Sequence, residues 1–125
     1  MPGTIHNGDS LSPTTVTLFD TDPGIDDAFA LALALASPEV NLRYVTTVAG
    51  NTGIRAVTRN AALLLSLMQA DTDVVLARGA GVPVAGPVRN ARDFHGSDGL
   101  GGHQRSLLDA GLKAHRVRAD AVRLI

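Results

Sequence analysis

Residues 16–37, VTLFDTDPGIDDAFALALALAS, place an acidic turn between a short apolar segment and a long one. The run VTLF (16–19) is rich in β-branched and aromatic residues, which is typical of a buried strand. Pro23-Gly24 ends that strand, and the alanine- and leucine-rich residues 28–36 predict a helix. The stretch therefore predicts a strand, a turn that carries several acids, and a helix.

The chain beyond this stretch continues the alternation of strands and helices. LRYVTTVAG (42–50) and DVVLARGA (73–80) predict two more strands. A helix that begins at Thr52 or Gly53 and runs to about Gln69 lies between them. This order is typical of parallel βαβ units with right-handed crossovers. We therefore expect an α/β fold with an open, mostly parallel, Rossmann-like sheet and flanking helices.

The last part of the chain predicts a glycine-rich loop over residues 79–103 and then a helix from near Val117 to Ile125. That helix would reach the final residue with no ordinary stop signal. A sheet of three parallel strands would also leave unpaired edges and one poorly covered face. We therefore expect residues 15–125 to be the N-terminal part of an incomplete domain, with residues 1–14 as a flexible lead-in.

The composition is that of an ordinary soluble protein, with 125 residues, 45% of them hydrophobic, and a net charge of -1. This charge gives no general attraction to nucleic acid or to an anionic membrane. The absence of cysteine excludes disulfides, thiolate metal sites and thiol nucleophiles. The longest apolar run, AFALALALA, is far shorter than the roughly 20 residues that a spanning helix needs. We expect a cytoplasmic protein that binds neither nucleic acid nor membrane.

Four aspartates lie within eight residues at the acidic turn, namely Asp20, Asp22, Asp26 and Asp27. No Lys or Arg precedes Arg43. Ligands of parallel sheets bind outside the carboxyl ends of the strands, so we expect these acids and Asn51, which follows the second strand, to converge. Helix capping accounts for only one or two of the four acids. A hard divalent cation, calcium or magnesium, would relieve the repulsion between them and prefers oxygen ligands.

Three motifs resemble a known family. DTDPGIDDAFALALAL (20–35) resembles the N-terminal signature of nucleoside hydrolases of the inosine–uridine-preferring type, and VTTVAGNTG (45–53) and FHGSDGLGG (94–102) agree with that family in order and spacing. The resemblance covers about residues 15–125. It implies calcium-dependent hydrolysis of the N-glycosidic bond of ribonucleosides, to ribose and free base, in purine or pyrimidine salvage. The family's members are usually dimers or tetramers, which makes a homo-oligomer a possible state.

The resemblance also implies a role for three of the aspartates in the calcium site. In the family, calcium holds the ribose diol and a water, and a carboxylate takes the proton of that water as it attacks C1′ of the ribose. On matching positions, Asp22 would be a calcium ligand and the general base, and Asp27 a second, bidentate ligand. Asp20 would support the loop from behind.

Three further residues would face the ribonucleoside substrate according to the same resemblance. Asp26 would bind the ribose hydroxyls, Asn51 would line the site beside the metal and the water, and His95 would lie near the base. Cleavage of an N-glycosidic bond builds positive charge on the ribose ring, which an acidic pocket stabilises. The lack of Lys and Arg near the first motif is consistent with this chemistry, because such residues would oppose the developing cation.

Two other interpretations stay open. The family's enzymes are longer than this chain, and Asp22 and Asp27 alone are fewer ligands than the about 6–8 oxygens that calcium takes. The 125-residue chain is therefore not expected to turn over robustly by itself, and it could be a truncated, non-catalytic fragment or a binding module. LFDTD (18–22) also resembles the strand end of haloacid dehalogenase-like magnesium phosphatases, although those enzymes do not continue with Pro-Gly-Ile-Asp-Asp.

Overall fold

The computed structural model describes residues 15–70, 73–118 and 120–125, which form a parallel sheet flanked by helices. The sheet has four strands that lie side by side in chain order: β1 (Val16–Thr21), β2 (Asn41–Thr47), β3 (Val75–Arg78) and β4 (Val117–Arg118). All three neighbouring pairs are parallel. The predicted α/β class and open parallel sheet are confirmed. The predicted lead-in, residues 1–14, lies outside the described residues.

Two longer helices connect the first three strands, α1 (Ile25–Ala36) and α2 (Ile54–Leu67). Two short helices, α3 (Arg92–His95) and α4 (His103–Asp109), interrupt and follow the region that the sequence predicted to be loop alone. None of the helices in the described part of the chain has both the length and the apolar character needed to cross a membrane.

The hydrophobic core lies between the sheet and α2. Ala61 and Leu65 of α2 are fully buried, as are Val45 of β2 and Leu76 of β3. Leu31 of α1 joins the same cluster. Burial of the leucine and valine side chains stabilises a fold by about 1.5–3 kcal/mol each. The core therefore fixes α2 firmly against the strands whose carboxyl ends carry the acidic turn and the loop after β2.

The helix predicted over residues 117–125 is wrong. Val117 and Arg118 instead extend as β4 and pair with Leu76 and Ala77 of β3, and residues 122–124 form a turn. Of the apolar positions that suggested a helix, Ala121 is buried, whereas Val122 and Ile125 are more than four-fifths exposed. The free edge of β3 offers backbone hydrogen bonds to this segment, and an isolated helical turn with no core to cover offers less.

Candidate functional site

The acidic turn and the loop after β2 meet at the carboxyl ends of β1 and β2. Asn51 joins them with three hydrogen bonds. Its backbone N–H donates to Oδ2 of Asp22 at 2.7 Å, and its side-chain Nδ2 donates to the carbonyl oxygen of Asp22 at 2.8 Å. Nδ2 also lies 3.4 Å from Oδ2 of Asp27. One asparagine therefore holds two aspartates side by side, at the edge of the sheet that the sequence indicated.

Asp27 has a second function at the start of α1. Its Oδ2 accepts the backbone N–H of Gly24 at 3.2 Å, so it also caps the first turn of the helix. Helix capping thus accounts for one hydrogen bond of Asp27, the one from Gly24. The other carboxylate oxygen, Oδ1, accepts no hydrogen bond from the described residues, and the same holds for Oδ1 of Asp22. Each carboxylate has one oxygen held by the protein and one available to a ligand.

Two glycines allow this close approach of loop and turn. A Cβ atom on Gly50 would collide with the carboxylate of Asp22. A Cβ on Gly24 would lie 2.7 Å from Nδ1 of His95 and 2.8 Å from Nδ2 of Asn51. Glycine at both positions is therefore a requirement of the site's packing.

His95 reaches the acidic turn from the glycine-rich loop. Its Nδ1 accepts the backbone N–H of Ile25 at 3.2 Å, at the start of α1. In the neutral imidazole the proton then belongs on Nε2, which lies 3.9 Å from Oδ1 of Asp26. The side chain of Asp26 is 80% exposed and that of His95 is 17% exposed. Asp26 and His95 therefore lie together at the outer rim, next to the Asp22–Asp27 pair.

Asp20 has a hydrogen-bond partner of its own, different from those of the other acids. It is still within β1, where its Oδ1 accepts the hydroxyl of Thr46 at 2.5 Å across the β1–β2 pair. Among the described residues it shares no hydrogen bond with Asp22, Asp26 or Asp27. The structure thus brings together Asp22, Asp27 and Asn51, places Asp26 and His95 beside them, and leaves Asp20 on the sheet.

Asp98 organises the glycine-rich loop, a role that the sequence did not indicate. Its carboxylate accepts the backbone N–H groups of Leu100 and Gly102 at 2.9 Å and of Gln104 at 3.1 Å. Burial by itself opposes ionisation, but these three hydrogen bonds, with that of its own backbone N–H, outweigh it and hold the pKa of Asp98 below its ordinary value of 3.8. The ionised carboxylate is therefore part of the loop's structure.

This arrangement predicts how the order of the loop depends on pH. Because the folded pKa of Asp98 is lowered, its stabilising contribution is fully present above the ordinary value of 3.8 and is lost as the pH falls through the lower folded value. We expect hydrogen-exchange protection of the Gly102 and Gln104 amides to fall in that acid range. In Asp98→Asn the protection should be several-fold lower already at neutral pH, with no acid transition. Asp93→Asn, an exposed acid nearby, is the matched control, and an unchanged acid transition in Asp98→Asn would contradict the assignment.

Asn60 of α2 is the second polar residue that the sequence did not single out. It is 0% exposed, and its Nδ2 donates to the carbonyl oxygens of Pro23 at 3.1 Å and of Asp98 at 2.7 Å. Its Oδ1 accepts Nε2 of Gln104 at 2.5 Å. The signal in the sequence was a polar residue on an otherwise apolar face of α2, three positions after Val57 and four before Leu64.

The donor set of the site fits a hard divalent cation by type. The free Oδ1 atoms of Asp22 and Asp27 are carboxylate oxygens, which calcium and magnesium prefer. Within the described residues, no three Asp, Glu or His side chains are close enough to form a metal site by themselves. Two carboxylates supply fewer oxygens than the about 6–8 that calcium takes. These two oxygens would thus supply only part of the ligand set of such a cation.

Comparison with known proteins gives one consistent result. The chain matches the family of inosine-uridine preferring nucleoside hydrolases over residues 17–125. It is 49% identical over 96 residues to the non-specific ribonucleoside hydrolase RihC of Klebsiella pneumoniae, an alignment that covers 73% of this chain and 31% of the relative. The chain thus spans about a third of the length of the curated relatives it matches.

Solved structures agree with the sequence comparisons. A plant nucleoside hydrolase, PpNRh1, superposes with a TM-score of 0.66 at 39% identity, covering 72% of this chain and 29% of that one. The purine-preferring ribonucleoside hydrolase from Gardnerella vaginalis superposes with a TM-score of 0.69 at 25% identity, covering 88% of this chain and 34% of that one. The similarity therefore extends from sequence to three-dimensional structure.

Proposed function

Because the chain belongs to the inosine-uridine preferring nucleoside hydrolase family, we propose that it supplies the carboxylate half of a calcium-dependent active site. The reaction is hydrolysis of the N-glycosidic bond of ribonucleosides, which gives ribose and a free purine or pyrimidine base. The observation that carries the proposal is the joint contact of Asn51 with Asp22 and Asp27, which leaves one oxygen of each carboxylate open. The family match favours this reaction over the phosphatase alternative.

Asp22, Asp27 and Asn51 would each have a distinct role in the reaction. Asp22 and Asp27 would hold calcium through their free oxygens, and calcium bound there supplies Lewis-acid polarisation of a water molecule and of the ribose diol. Asp22 would accept the proton of the attacking water as general base. Its Oδ2 accepts the backbone N–H of Asn51, which keeps the carboxylate oriented toward the open side of the site. Asn51 would fix the orientation of both carboxylates.

The residues at the rim would act on the substrate. Asp26 would accept hydrogen bonds from the ribose hydroxyls, and His95 would face the base. Asp26 lies in the first turn of α1 and His95 at the end of α3, with Nε2 of His95 3.9 Å from Oδ1 of Asp26. Negative charge around the ribose would stabilise the positive charge that develops on the sugar ring. Asp20 would act from behind, through its hydrogen bond to Thr46 between β1 and β2.

The test is ribose release from inosine and uridine by a hybrid enzyme, in which the matching segment of the Klebsiella RihC is replaced by that of this chain. We expect the hybrid to release reducing sugar with calcium and to stop when EGTA removes it. The 125-residue chain alone, assayed in parallel, should not turn over. Undiminished activity of the hybrid in EGTA would contradict the calcium proposal. Robust turnover by the 125-residue chain alone would contradict the proposal that this chain supplies only the carboxylate half of the active site.

A further inference from the structure

We propose that Asn60 is a positioning residue, which sets the loop that bears His95 against the turn that bears Asp22. The proposal rests on the proposed function, since it concerns the geometry of the same site. Asn60 contacts neither carboxylate of the pair. It acts through Pro23, the neighbour of Asp22 in the chain, and through the carbonyl of Asp98, three residues after His95.

The amide of Asn60 is fully used. Both hydrogens of Nδ2 have an acceptor on different segments, and Oδ1 has a donor in Gln104. A neutral amide offers two donors and an acceptor in one plane, which neither a carboxylate nor an aliphatic side chain does. The residue is completely buried, so water cannot replace these partners in the folded state. Its backbone is held by α2 and the core, which makes it a rigid reference point for both segments.

The loop lies tightly against the turn at this point. A Cβ on Gly99 would come within 2.9 Å of Nδ2 of Asn60 and 3.3 Å of the carbonyl oxygen of Pro23. Gly99 also has a φ of 83°, which disfavours any side chain there. Thr52 adds a hydrogen bond from its hydroxyl to the carbonyl of Ser97 at 3.2 Å. Loop, turn and α2 thus meet around the Asn60 amide.

The contact between His95 and Ile25 depends on this arrangement. It is an exposed hydrogen bond of 3.2 Å, and such a bond contributes little when its partners are free to move. The bonds of Asn60 fix the loop after His95, and the hydrogen bond from Ala91 N–H to the carbonyl of Asn51 fixes the segment before it. The exposed contact of His95 depends on the loop being held on both sides. The pairing of Asp22 with Asn51 spans only β1, β2 and their loops, so it should survive without Asn60. Loss of the amide should therefore uncouple His95 from the site and leave the two carboxylates in place.

The experiment is NMR of the 125-residue chain, comparing the wild type with Asn60→Leu, which keeps the approximate size and removes the amide. In the wild type, long-range ¹H–¹⁵N spectra should show the Nε2–H tautomer of His95, and the Ile25 amide should be protected from exchange. In Asn60→Leu we expect that protection to fall by about tenfold or more, through local opening of the loop. The His95 signals should then become those of a solvated imidazole, while the Asn51 amide stays protected.

Leu65→Ala is the matched control, because Leu65 is equally buried on the same helix but belongs to the core. It should lower global stability and leave the His95 tautomer unchanged. Gln104→Met removes only one bond, that to Oδ1 of Asn60, and should lower Ile25 protection by a smaller factor. The proposal would be overturned if the His95 signals stay unchanged in Asn60→Leu. It would also be overturned if Leu65→Ala converts them to those of a solvated imidazole. If Asn60→Leu does not fold, Gln104→Met decides, and unaltered protection of Ile25 there overturns it.

Neither the His95 tautomer signal nor the exchange protection of the Ile25 amide requires calcium, a nucleoside or turnover. A hybrid enzyme without hydrolase activity would refute the proposed function, and the coupling through Asn60 would still be measured by the two NMR signals. Conversely, NMR results that refute the coupling through Asn60 would not change the outcome of the ribose-release assay. The two failures are therefore distinguishable.

Discussion

Asp22→Asn should lower kcat/KM for ribose release from inosine by about a hundred- to ten-thousandfold in the hybrid enzyme, the range expected when a general base is lost. The substitution keeps the shape of the side chain, so the amide oxygen can still accept the backbone N–H of Asn51. It removes the negative charge that would bind calcium and the basic oxygen that would take a proton from water. Calcium affinity, measured by titration calorimetry, should fall with it.

Glu39→Gln is the control for this prediction. Glu39 is an exposed acid between α1 and β2, and it makes no hydrogen bond or ion pair with the site residues in the described part of the chain. Its loss changes the net charge of the protein by the same amount as Asp22→Asn. Activity should remain at the wild-type level, so a general electrostatic effect is separated from a specific one. Retention of more than a tenth of the activity by Asp22→Asn would exclude Asp22 as the base.

Gly50→Ala should lower the activity of the hybrid enzyme by about a hundredfold, because a shift of a catalytic group by roughly 1 Å typically lowers the rate by that factor. The added methyl group would occupy the position of the Asp22 carboxylate. The side chain of Asp22 can rotate away from it, so the fold itself should lose little stability. Its hydrogen bond from Asn51 and its alignment with Asp27 would then be lost. Activity and calcium affinity should therefore fall together, while the melting temperature changes little.

Gly53→Ala provides the matched comparison for Gly50→Ala. A Cβ on Gly53 meets no atom within 4 Å, and its φ of -68° is compatible with alanine. Both substitutions add one methyl group to the same loop, three residues apart. We expect Gly53→Ala to keep wild-type activity. Equal activities of the two variants would show that the close approach at Gly50 has no bearing on the site.

The sequence was informative where a local pattern has a general geometric consequence. Apolar runs separated by glycine and proline predicted the first three strands, and parallel strands bring their carboxyl ends to one edge. That rule alone indicated that Asp22 and Asn51 would lie close together. Asp20 belongs to β1, which continues to Thr21. Its carboxylate accepts the hydroxyl of Thr46 on β2, and this cross-strand contact does not follow from the rule.

The sequence was less informative where distant segments decide the outcome. The polar character of Asn60 on an apolar helix face is visible in the sequence, but its partners lie 37 and 38 residues away. Residues 117–125 have helical spacing, yet the open edge of β3 competes for their backbone groups. Neither result follows from periodicity, because both depend on which surfaces remain unsatisfied once the first three strands have assembled.

The strand order β1-β2-β3-β4 has a consequence for the biosynthesis of the site. Each new strand is added to the edge of a sheet that is already present, and chains generally fold from the N-terminus during synthesis. Asp22 and Asn51 are only 29 residues apart, whereas His95 meets Ile25 across 70 residues. The pair of carboxylates can therefore assemble on the ribosome well before the histidine loop emerges. The acidic edge is therefore the first part of this site to form during synthesis, and the rim that would meet the nucleoside forms later.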